Sequence, residues 1–329
     1  MTDYRPIRIG VAGLGAVGTA LIANIRDAHA HISGLLGRPV EVSAVTARNP
    51  DADRGINLDA VAWAATPEEL AVRDDVDIVV ELIGGAGDPA CGMIMAALDA
   101  GKPVVTANKA LLASHGAVLA QRAEDNHTAL AYEAAVAAAI PAVRSLRDSL
   151  AGSRFHGVYG ILNGTSNYIL SRMLATGRDF DDVLGEAQDM GYAEADPALD
   201  VDGGDAGHKL ALLSALAFGI EPDFGATELR GIRDITFADL QRAESQGYSI
   251  KLLARAVSDG SSVAQQVVPC YIPQSHPLAA INGVTNAVML DGRPSQAVML
   301  SGSGAGGEAT AAAVLGDIIE LARGVKRPA

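Results

Sequence analysis

Short apolar runs alternate with longer helical stretches through the first 140 residues of the chain. Four runs are rich in β-forming residues, and they occupy residues 7–12, 39–48, 76–85 and 102–108. Helical periodicity follows the first, third and fourth of them. The run at 76–85 is mostly apolar, which is typical of a strand buried on both faces of a parallel sheet. Strands that alternate with helices in this way predict an α/β fold with a mainly parallel sheet.

A glycine-rich turn joins the first strand to the first helix. Its sequence is Gly13-Leu14-Gly15-Ala16-Val17-Gly18. In a Rossmann-type dinucleotide-binding fold, the first glycine makes the tight turn, the second lets the backbone approach a pyrophosphate, and the third lets the helix pack on the strand. Amides at the helix N-terminus then face the phosphate charge. We therefore predict a dinucleotide cofactor on these six residues, and the alternative is a similar turn that binds no ligand.

The end of the second strand indicates which dinucleotide is bound. NAD-binding folds usually place an acidic residue there for the ribose hydroxyls, whereas this strand ends in Thr46-Ala47-Arg48-Asn49. An arginine can pair with the 2′-phosphate of NADP. We predict NADP, bound through Arg48, with NAD as the alternative cofactor. Arg54 is a second candidate for the phosphate contact, and a merely solvated Arg48 is the competing interpretation.

The carboxyl edge of the predicted sheet carries further candidate residues. Ile83 and Gly84 end the third strand without bulk, at the edge where open α/β sheets bind ligands. Lys109 follows the fourth strand, where it fits a surface residue, a phosphate contact or a catalytic group. Glu133 stands in an otherwise uncharged stretch and would need a partner if buried. A cation held by backbone carbonyls, an arginine or a helix N-terminus would each serve.

The second part of the chain has the pattern of an α+β domain. Residues 261–273 and 286–302 are predicted to form its strands. The last predicted helix, Glu308 to Arg323, is expected to pack back on the first domain. We therefore expect two domains, residues 1–140 completed by residues 301–329, and residues 141–300.

Two features of the second part carry candidate chemistry. The run Asn163–Ser166 is a small polar turn that suits a carboxylate or an amino group, unless Thr165 or Ser166 is only a helix N-cap. Asp205 and Lys209 are four residues apart at the start of an apolar helix, which puts both on one face. Exposed pairs at this spacing are common and contribute little to stability. The other interpretation is a proton-handling pair aimed into a pocket.

Composition narrows the range of partners. The formal net charge of −14 argues against nucleic acid and anionic membranes, because both require a basic face. No apolar run reaches the roughly 20 residues of a membrane span, and the N-terminus lacks the pattern of a signal peptide. The two cysteines, Cys91 and Cys270, have no metal-ligand spacing and are expected to be free thiols in a reducing compartment. We expect a cytoplasmic protein with a small-molecule substrate.

Residues 187–209 contain particular residue types at particular gaps. They are Ala187, Gly191-Tyr192-Ala193-Glu194, Asp196-Pro197, Asp200-Val201, Gly203, Asp205 and Lys209. Five other stretches occur in order along the chain: GLGAVG, VTANKALLA, YEAAVAAAIP, GILNGTSNYIL and SGSGAGGEATAAAVLGDIIELA. Together these segments resemble the homoserine dehydrogenase family over nearly all of the 329 residues.

The resemblance implies an NAD(P)-dependent oxidoreductase that interconverts L-aspartate 4-semialdehyde and L-homoserine in threonine, methionine and isoleucine biosynthesis. The family's proton-transfer lysine falls on Lys209 and its second active-site lysine on Lys109, while Asp205 would orient Lys209 or hold substrate. The residues implied to hold homoserine are Gly164, Thr165, Tyr192, Glu194, Asp200 and Asp205. The residues implied to return to the cofactor are Gly304 and Gly306, together with Lys109.

The resemblance also implies a monovalent cation such as Na⁺ or K⁺, held mostly by backbone carbonyls. Its site falls on Glu133, Val136, Ala138 and Ile140. The family often has glycines in this loop, whereas this chain has alanine at 137–139, and the added methyl groups restrict the backbone. Relatives dimerise through a sheet in the second domain, so we expect a homodimer in which residues 141–300 serve both substrate binding and dimerisation.

The resemblance implies one further expectation, and two alternative functions stay open. Because the chain ends at Ala329, without the C-terminal regulatory domain or N-terminal kinase of many relatives, we expect no feedback inhibition by threonine through such a domain. One alternative function is a related oxidoreductase acting on another amino-acid semialdehyde, although the substrate turn and the acidic signature argue against it. The other is a non-catalytic NADP-binding regulator, which would be expected to have lost Lys109 or Lys209.

Overall fold

The computed structural model describes residues 5–324, and these residues form two compact units. One unit contains the residues up to Ala139 together with those from Gly306 onward, and the other contains Ile140–Ala305. The ends of the predicted first domain, residues 1–4 and 325–329, lie outside the described residues.

The first unit is built on six strands with helices between them. Before the chain crosses to the second unit, its elements are β1 (Ile7–Ala12), α1 (Ala16–Asp27), α2 (His29–Leu36), β2 (Val40–Thr46), β3 (Ala62–Trp63), α3 (Pro67–Val72), β4 (Ile78–Glu81), α4 (Ala90–Asp99), β5 (Val104–Thr106), α5 (Lys109–Asp125), β6 (Leu130–Ala131) and α6 (Ala134–Ala137). The strands lie in the order β3-β2-β1-β4-β5-β6, and every neighbouring pair is parallel. This order is that of a doubly wound dinucleotide-binding sheet.

The centre of this sheet is covered on both faces. Val79 and Val80 are adjacent in β4, so their side chains point to opposite faces, and both are fully buried. Ile9 and Val11 of β1 are likewise fully buried. The prediction of a strand without a solvent-facing side at residues 76–85 is therefore confirmed for β4.

The second unit combines a six-stranded sheet with helices. Its elements are α7 (Ala142–Arg144), a π-helical turn (Ser145–Ser149), β7 (Arg154–Ile161), α8 (Gly164–Thr176), α9 (Phe180–Asp189), α10 (Ala198–Val201), α11 (Gly204–Phe218), β8 (Thr227–Leu229), α12 (Phe237–Ser245), β9 (Tyr248–Ser258), β10 (Val263–Pro273), a 3₁₀ turn (Pro277–Ala280), β11 (Thr285–Arg293) and β12 (Gln296–Ser303). The strand order is β12-β11-β7-β9-β10-β8. All neighbours are antiparallel except β10 and β8, which are parallel. Helices α8, α11 and α12 pack against this sheet.

The last helix returns to the first unit. Helix α13 (Gly307–Ala322) packs against α1. Ala311, Val314 and Ile318 lie three and four residues apart and are fully buried, so one stripe of the helix joins the core of the first unit. The predicted α/β fold, with a mainly parallel sheet and a second α+β part, is confirmed. Among residues 5–324, no helix has the length and apolarity needed to cross a membrane.

Candidate active site

The glycine turn lies between β1 and α1, and the space around each glycine shows why a side chain is absent there. Gly13 has φ of +96°, and a Cβ there would lie 2.3 Å from the carbonyl oxygen of Leu82. A Cβ on Gly18 would lie 2.1 Å from the carbonyl oxygen of Gly13. A Cβ on Gly15 would meet no atom within 4 Å. Gly13 and Gly18 are therefore required by packing, and Gly15 leaves the backbone open to a ligand.

The N-terminus of α1 has the properties of a phosphate site. Gly15 is its N-cap and has no side chain that could accept a hydrogen bond from the first-turn amides. These amides carry the positive end of the helix dipole and suit a pyrophosphate. The turn also lies where the strand order reverses between β1 and β4, which is where such sheets bind nucleotides. The residues present therefore fit a dinucleotide cofactor.

The two late glycines are in different environments. Gly306 has φ of +110° and immediately precedes α13. A Cβ on the next residue, Gly307, would lie 3.2 Å from the carbonyl oxygen of Ala16, so this backbone passes directly beside the glycine turn. Gly304 belongs to the second unit, where a Cβ would lie 2.1 Å from Nδ2 of Asn286. The absence of a side chain at Gly304 is therefore explained by the packing of Asn286.

A buried carboxylate that no sequence motif indicates organises the carboxyl edge of the first sheet. Glu81, at the end of β4, is fully buried. Its Oε1 accepts hydrogen bonds from the amides of Ile83 (2.8 Å) and Gly84 (2.9 Å), and its Oε2 accepts one from Oγ1 of Thr106 (2.6 Å). Glu81 thus holds the turn predicted to face the cofactor and ties it to the end of β5.

The same network extends to the start of α5. Oγ1 of Thr106 accepts a hydrogen bond from the amide of Asn108 (3.0 Å). The side chain of Asn108 caps α5 by accepting from the amide of Leu111 (3.1 Å) and donates to the carbonyl of Gly85 (2.8 Å). Lys109 is the first residue of that capped helix and is half-buried. Its backbone position is therefore fixed by the turn that Glu81 organises.

Arg48 and Arg54 differ in their surroundings. Arg48 is exposed and follows the end of β2. Arg54 donates hydrogen bonds to the carbonyls of Ala52 (2.6 Å), Pro50 (3.2 Å) and Asn49. Because these bonds occupy its guanidinium, Arg54 closes the loop that follows Arg48 and is a poor second candidate for a phosphate contact.

In the second unit, Lys209 and Asp205 form a buried ion pair. Both residues are less than a tenth exposed. Nζ of Lys209 lies 2.8 Å from Oδ2 of Asp205 and donates a second hydrogen bond, of 2.7 Å, to the carbonyl of Leu162. Buried charges are tolerated only when paired and hydrogen-bonded. Of the two interpretations of this spacing, the exposed surface pair is wrong.

Asn163 connects this ion pair to a second carboxylate. Its Nδ2 donates to Oδ2 of Asp205 (2.9 Å) and to Oδ1 of Asp200 (2.7 Å). Its Oδ1 accepts from the amide of Ser166 (2.8 Å) and so caps α8. The sequence predicts Asn163 only as part of a polar turn, with Thr165 or Ser166 as the alternative helix N-cap. The cap is Asn163 because its side chain lies one residue before the first helical residue, Gly164.

The acidic loop before α11 supplies no side-chain cap to that helix. The N-cap is Gly203, which has φ of +90°, a left-handed conformation that favours glycine. Asp205 lies in the first turn of α11 instead, with its carboxylate committed to Lys209 and Asn163.

The remaining substrate candidates lie on the connection between α9 and α10 or contact it. Oγ1 of Thr165 donates to the carbonyl of Tyr192 (2.7 Å). The Tyr192 ring, which is 41% exposed, packs edge-on against Tyr168 at 5.1 Å between centroids. Glu194 is exposed two residues further on. Asp200, Asp205 and Lys209 thus belong to one hydrogen-bonded network through Asn163. Gly164 and Thr165 directly follow Asn163 in the chain, Thr165 contacts Tyr192, and Glu194 is exposed.

The loop predicted to hold a cation contains a strained residue. Ala138 has φ of +44° and ψ of −111°, a region that non-glycine residues rarely adopt. Glu133 is buried, and its amide donates to Oδ2 of Asp317 (2.9 Å). Val136, which lies between Glu133 and Ala138 in the sequence, is also buried. Ala138 therefore holds a conformation that glycine adopts more easily.

An NAD(P)-dependent oxidoreductase acting on a CH–OH group requires a dinucleotide-binding fold and a group that can transfer a proton. This chain has such a fold and a buried lysine–carboxylate pair, and it belongs to that class. A family model described as homoserine dehydrogenase matches residues 141–319, and one described as homoserine dehydrogenase, NAD binding domain, matches residues 13–133. The chain belongs to the homoserine dehydrogenase family, as the resemblance implied.

Individual relatives agree with this assignment. The homoserine dehydrogenase of Neisseria gonorrhoeae is 44% identical over 319 residues, which are 97% of this chain and 73% of that protein. The crystal structure of a homoserine dehydrogenase from Thiobacillus denitrificans is 40% identical with a TM-score of 0.93, covering 97% of this chain and 74% of the other. A hyperthermophilic archaeal homoserine dehydrogenase in complex with NADPH is 28% identical with a TM-score of 0.83, covering 99% and 100%. These findings support homoserine dehydrogenase over both alternative functions and confirm NAD(P) binding.

We predict that Glu81→Ala weakens NADPH binding by about tenfold, because the amides of Ile83 and Gly84 lose their acceptor and the turn loses its shape. Fluorescence titration with NADPH would measure the change. Glu68→Ala, an exposed carboxylate in the same unit, is the matched control and should leave the dissociation constant within about twofold. Unchanged affinity in Glu81→Ala would show that the turn forms without the carboxylate.

Proposed function

We propose that this chain interconverts L-aspartate 4-semialdehyde and L-homoserine with NADP as its cofactor and Lys209 as its proton-transfer group. The observation that carries the proposal is the burial of Lys209 against Asp205 and the Leu162 carbonyl. When bound, the cofactor supplies the hydride exchanged with the carbonyl carbon. The protein must then deliver a proton to the oxygen in the reduction, or remove it in the oxidation, and a held ammonium group serves this purpose.

The other residues of the network would hold the amino-acid end of the substrate. We propose that Asp200 and Glu194 attract its ammonium group, and that Gly164, Thr165 and Tyr192 contact its carboxylate or hydroxyl. Asp205 orients Lys209, since the two side chains share a hydrogen bond of 2.8 Å. In the first unit, the position of Lys109 at the capped start of α5 supports a second role beside the cofactor.

We also propose that the cofactor lies on the glycine turn, with contacts from Ile83, Gly84 and Gly306. The open backbone at Gly15 and the Glu81-held turn support this placement. We propose in addition that the carbonyls around Ala138 hold a monovalent cation, Na⁺ or K⁺. Its support is the burial of Glu133 and the strained backbone at Ala138. The protein is proposed to act in the cytoplasm, since both Cys91 and Cys270 are free thiols.

Replacing Lys209 tests the proton-transfer role. We predict that Lys209→Ala lowers kcat for homoserine oxidation by at least ~100-fold, the lower end for general acid–base catalysis. Thermal unfolding followed by circular dichroism would show that the variant still folds. Arg242 belongs to an exposed ion pair with Asp239, three residues apart on α12, so Arg242→Ala is the control and should retain kcat within about twofold. Near-normal turnover of Lys209→Ala would remove Lys209 from this role.

The cofactor preference is tested at Arg48. We predict that Arg48→Ala raises KM for NADP by about tenfold or more and changes KM for NAD by less than about twofold, because only NADP loses a charge-assisted contact. Steady-state kinetics with both cofactors would measure the ratio. Arg26→Ala, at an exposed arginine in the last turn of α1, provides the control. A wild-type enzyme that prefers NAD would contradict the proposal.

We propose that two copies associate through the sheet of the second unit. Met289 lies directly opposite Tyr159 on β7 and Met299 on β12, so the three share one face. Tyr159 and Met299 are only partly buried, although both pack against an apolar cluster that contains Met289. A row of half-covered apolar side chains across three strands is typical of a subunit interface.

The expected oligomer is a homodimer at micromolar concentration, measured by size-exclusion chromatography with light scattering. Met299→Asp should raise the dimer dissociation constant at least about tenfold, because it puts an unpaired carboxylate into an apolar contact. Gln246→Glu, at an exposed position in the same unit, should leave the dimer intact. A monomeric wild-type protein would refute the interface.

A further inference from the structure

Asn163 makes hydrogen bonds to two carboxylates in addition to the bond that caps α8. It is 5% exposed, and both atoms of its amide group are used. Nδ2 donates to Asp200 and Asp205, and Oδ1 accepts from the amide of Ser166. Exchanging the amide oxygen and nitrogen would set an oxygen against two carboxylates and a nitrogen against an amide N–H. The side chain therefore has a single acceptable orientation.

We propose that Asn163 is a positioning residue, which holds the carboxylates of Asp200 and Asp205 together and through Asp205 fixes the ammonium group of Lys209. The inference rests on the proposed roles of these three residues in substrate binding and proton transfer. It adds a residue that touches neither the hydride nor the transferred proton but sets the geometry of the groups that do.

Electrostatics gives the reason for an amide at this position. Asp200 on α10 and Asp205 on α11 bond the same nitrogen, so their carboxylates lie close enough to repel each other. An amide supplies one N–H to each without adding charge. Lys209 bonds the same Oδ2 atom of Asp205 that Asn163 bonds, so two donors fix that oxygen from different residues. Removing one donor leaves the position of the ion pair less defined.

The cap bond couples this arrangement to the substrate turn. Because Oδ1 of Asn163 holds the amide of Ser166, the same side chain sets the start of α8, where Gly164 and Thr165 lie. Two substitutions separate the cap from the network. Asn163→Ser keeps an oxygen that can cap the helix but loses the paired N–H donors. Asn163→Asp keeps the shape and the cap and replaces the donors with a carboxylate.

The two variants are predicted to respond differently to pH. The charged groups that face position 163 are Asp200, Asp205 and, beyond it, Lys209. A third carboxylate beside two others takes up a proton more readily than usual, and its single O–H then restores one of the two hydrogen bonds that the amide donates. The activity of Asn163→Asp relative to wild type should therefore rise as pH falls. That of Asn163→Ser should not change with pH.

The experiment measures kcat and KM for homoserine from pH 6 to pH 8 on the full chain, with thermal unfolding followed by circular dichroism as the check on folding. Asn163→Ser is expected to lose about 10- to 100-fold in kcat at every pH, as expected for a displaced catalytic group. Asn163→Asp is expected to lose at least as much at pH 8 and to recover at least about threefold, relative to wild type, at pH 6. Both should bind NADPH within about twofold of wild type, because the cofactor turn belongs to the other unit.

Gln246→Glu adds the same charge at an exposed site in the same unit and should follow the wild-type profile. The proposal is overturned if Asn163→Ser retains kcat within about twofold of wild type, or if the loss in Asn163→Asp is the same at every pH. Should Asn163→Asp fail to fold, the result for Asn163→Ser still decides. A wild-type protein that does not oxidise homoserine would instead refute the proposed function, which keeps the two failures distinct.

Discussion

The burial of the Lys209 ammonium group determines the contacts around the candidate residues of the second unit. A lysine ammonium group removed from water is tolerated only beside a counter-charge and further hydrogen-bond acceptors. Asp205 and the carbonyl of Leu162 provide them for Lys209. Asp205 then carries a buried charge of its own, which Asn163 helps to satisfy. Each buried charged group in this network thus has a hydrogen-bond partner, and the charge of Asp205 requires one because Asp205 is buried as the partner of Lys209.

The first unit uses the same principle with the opposite charge. Glu81 is a fully buried carboxylate at a strand end, and three donors from two connections converge on it. Because a carboxylate accepts several hydrogen bonds at once, it can order turns that are far apart in sequence. In each unit, a buried charge therefore orders the loops of that unit that carry candidate residues.

Local features of the site could be predicted from the sequence, and long-range contacts could not. The spacing of Asp205 and Lys209 on one helix face, and the glycine turn between a strand and a helix, depend on neighbouring residues only. Whether the ion pair was buried depended on the packing of α11 against the sheet, which spacing does not reveal. Asn163 is 42 residues from Asp205, and Glu81 is 25 residues from Thr106. The parallel sheet followed from the alternation of elements, whereas the residues that cap α8 and α11 required the backbone itself.

Glycine in a cofactor motif does not by itself indicate contact with a ligand. Gly13 and Gly18 are required because backbone atoms lie where a side chain would be, and only Gly15 faces open space. Gly304 was assigned to the cofactor by resemblance, yet the side chain of Asn286 occupies the volume that a Cβ would need. Asn286 is itself almost completely buried. A glycine at this position is therefore explained by packing within the second unit, and the case for Gly306 is stronger, since the backbone that follows it passes beside Ala16 at the glycine turn.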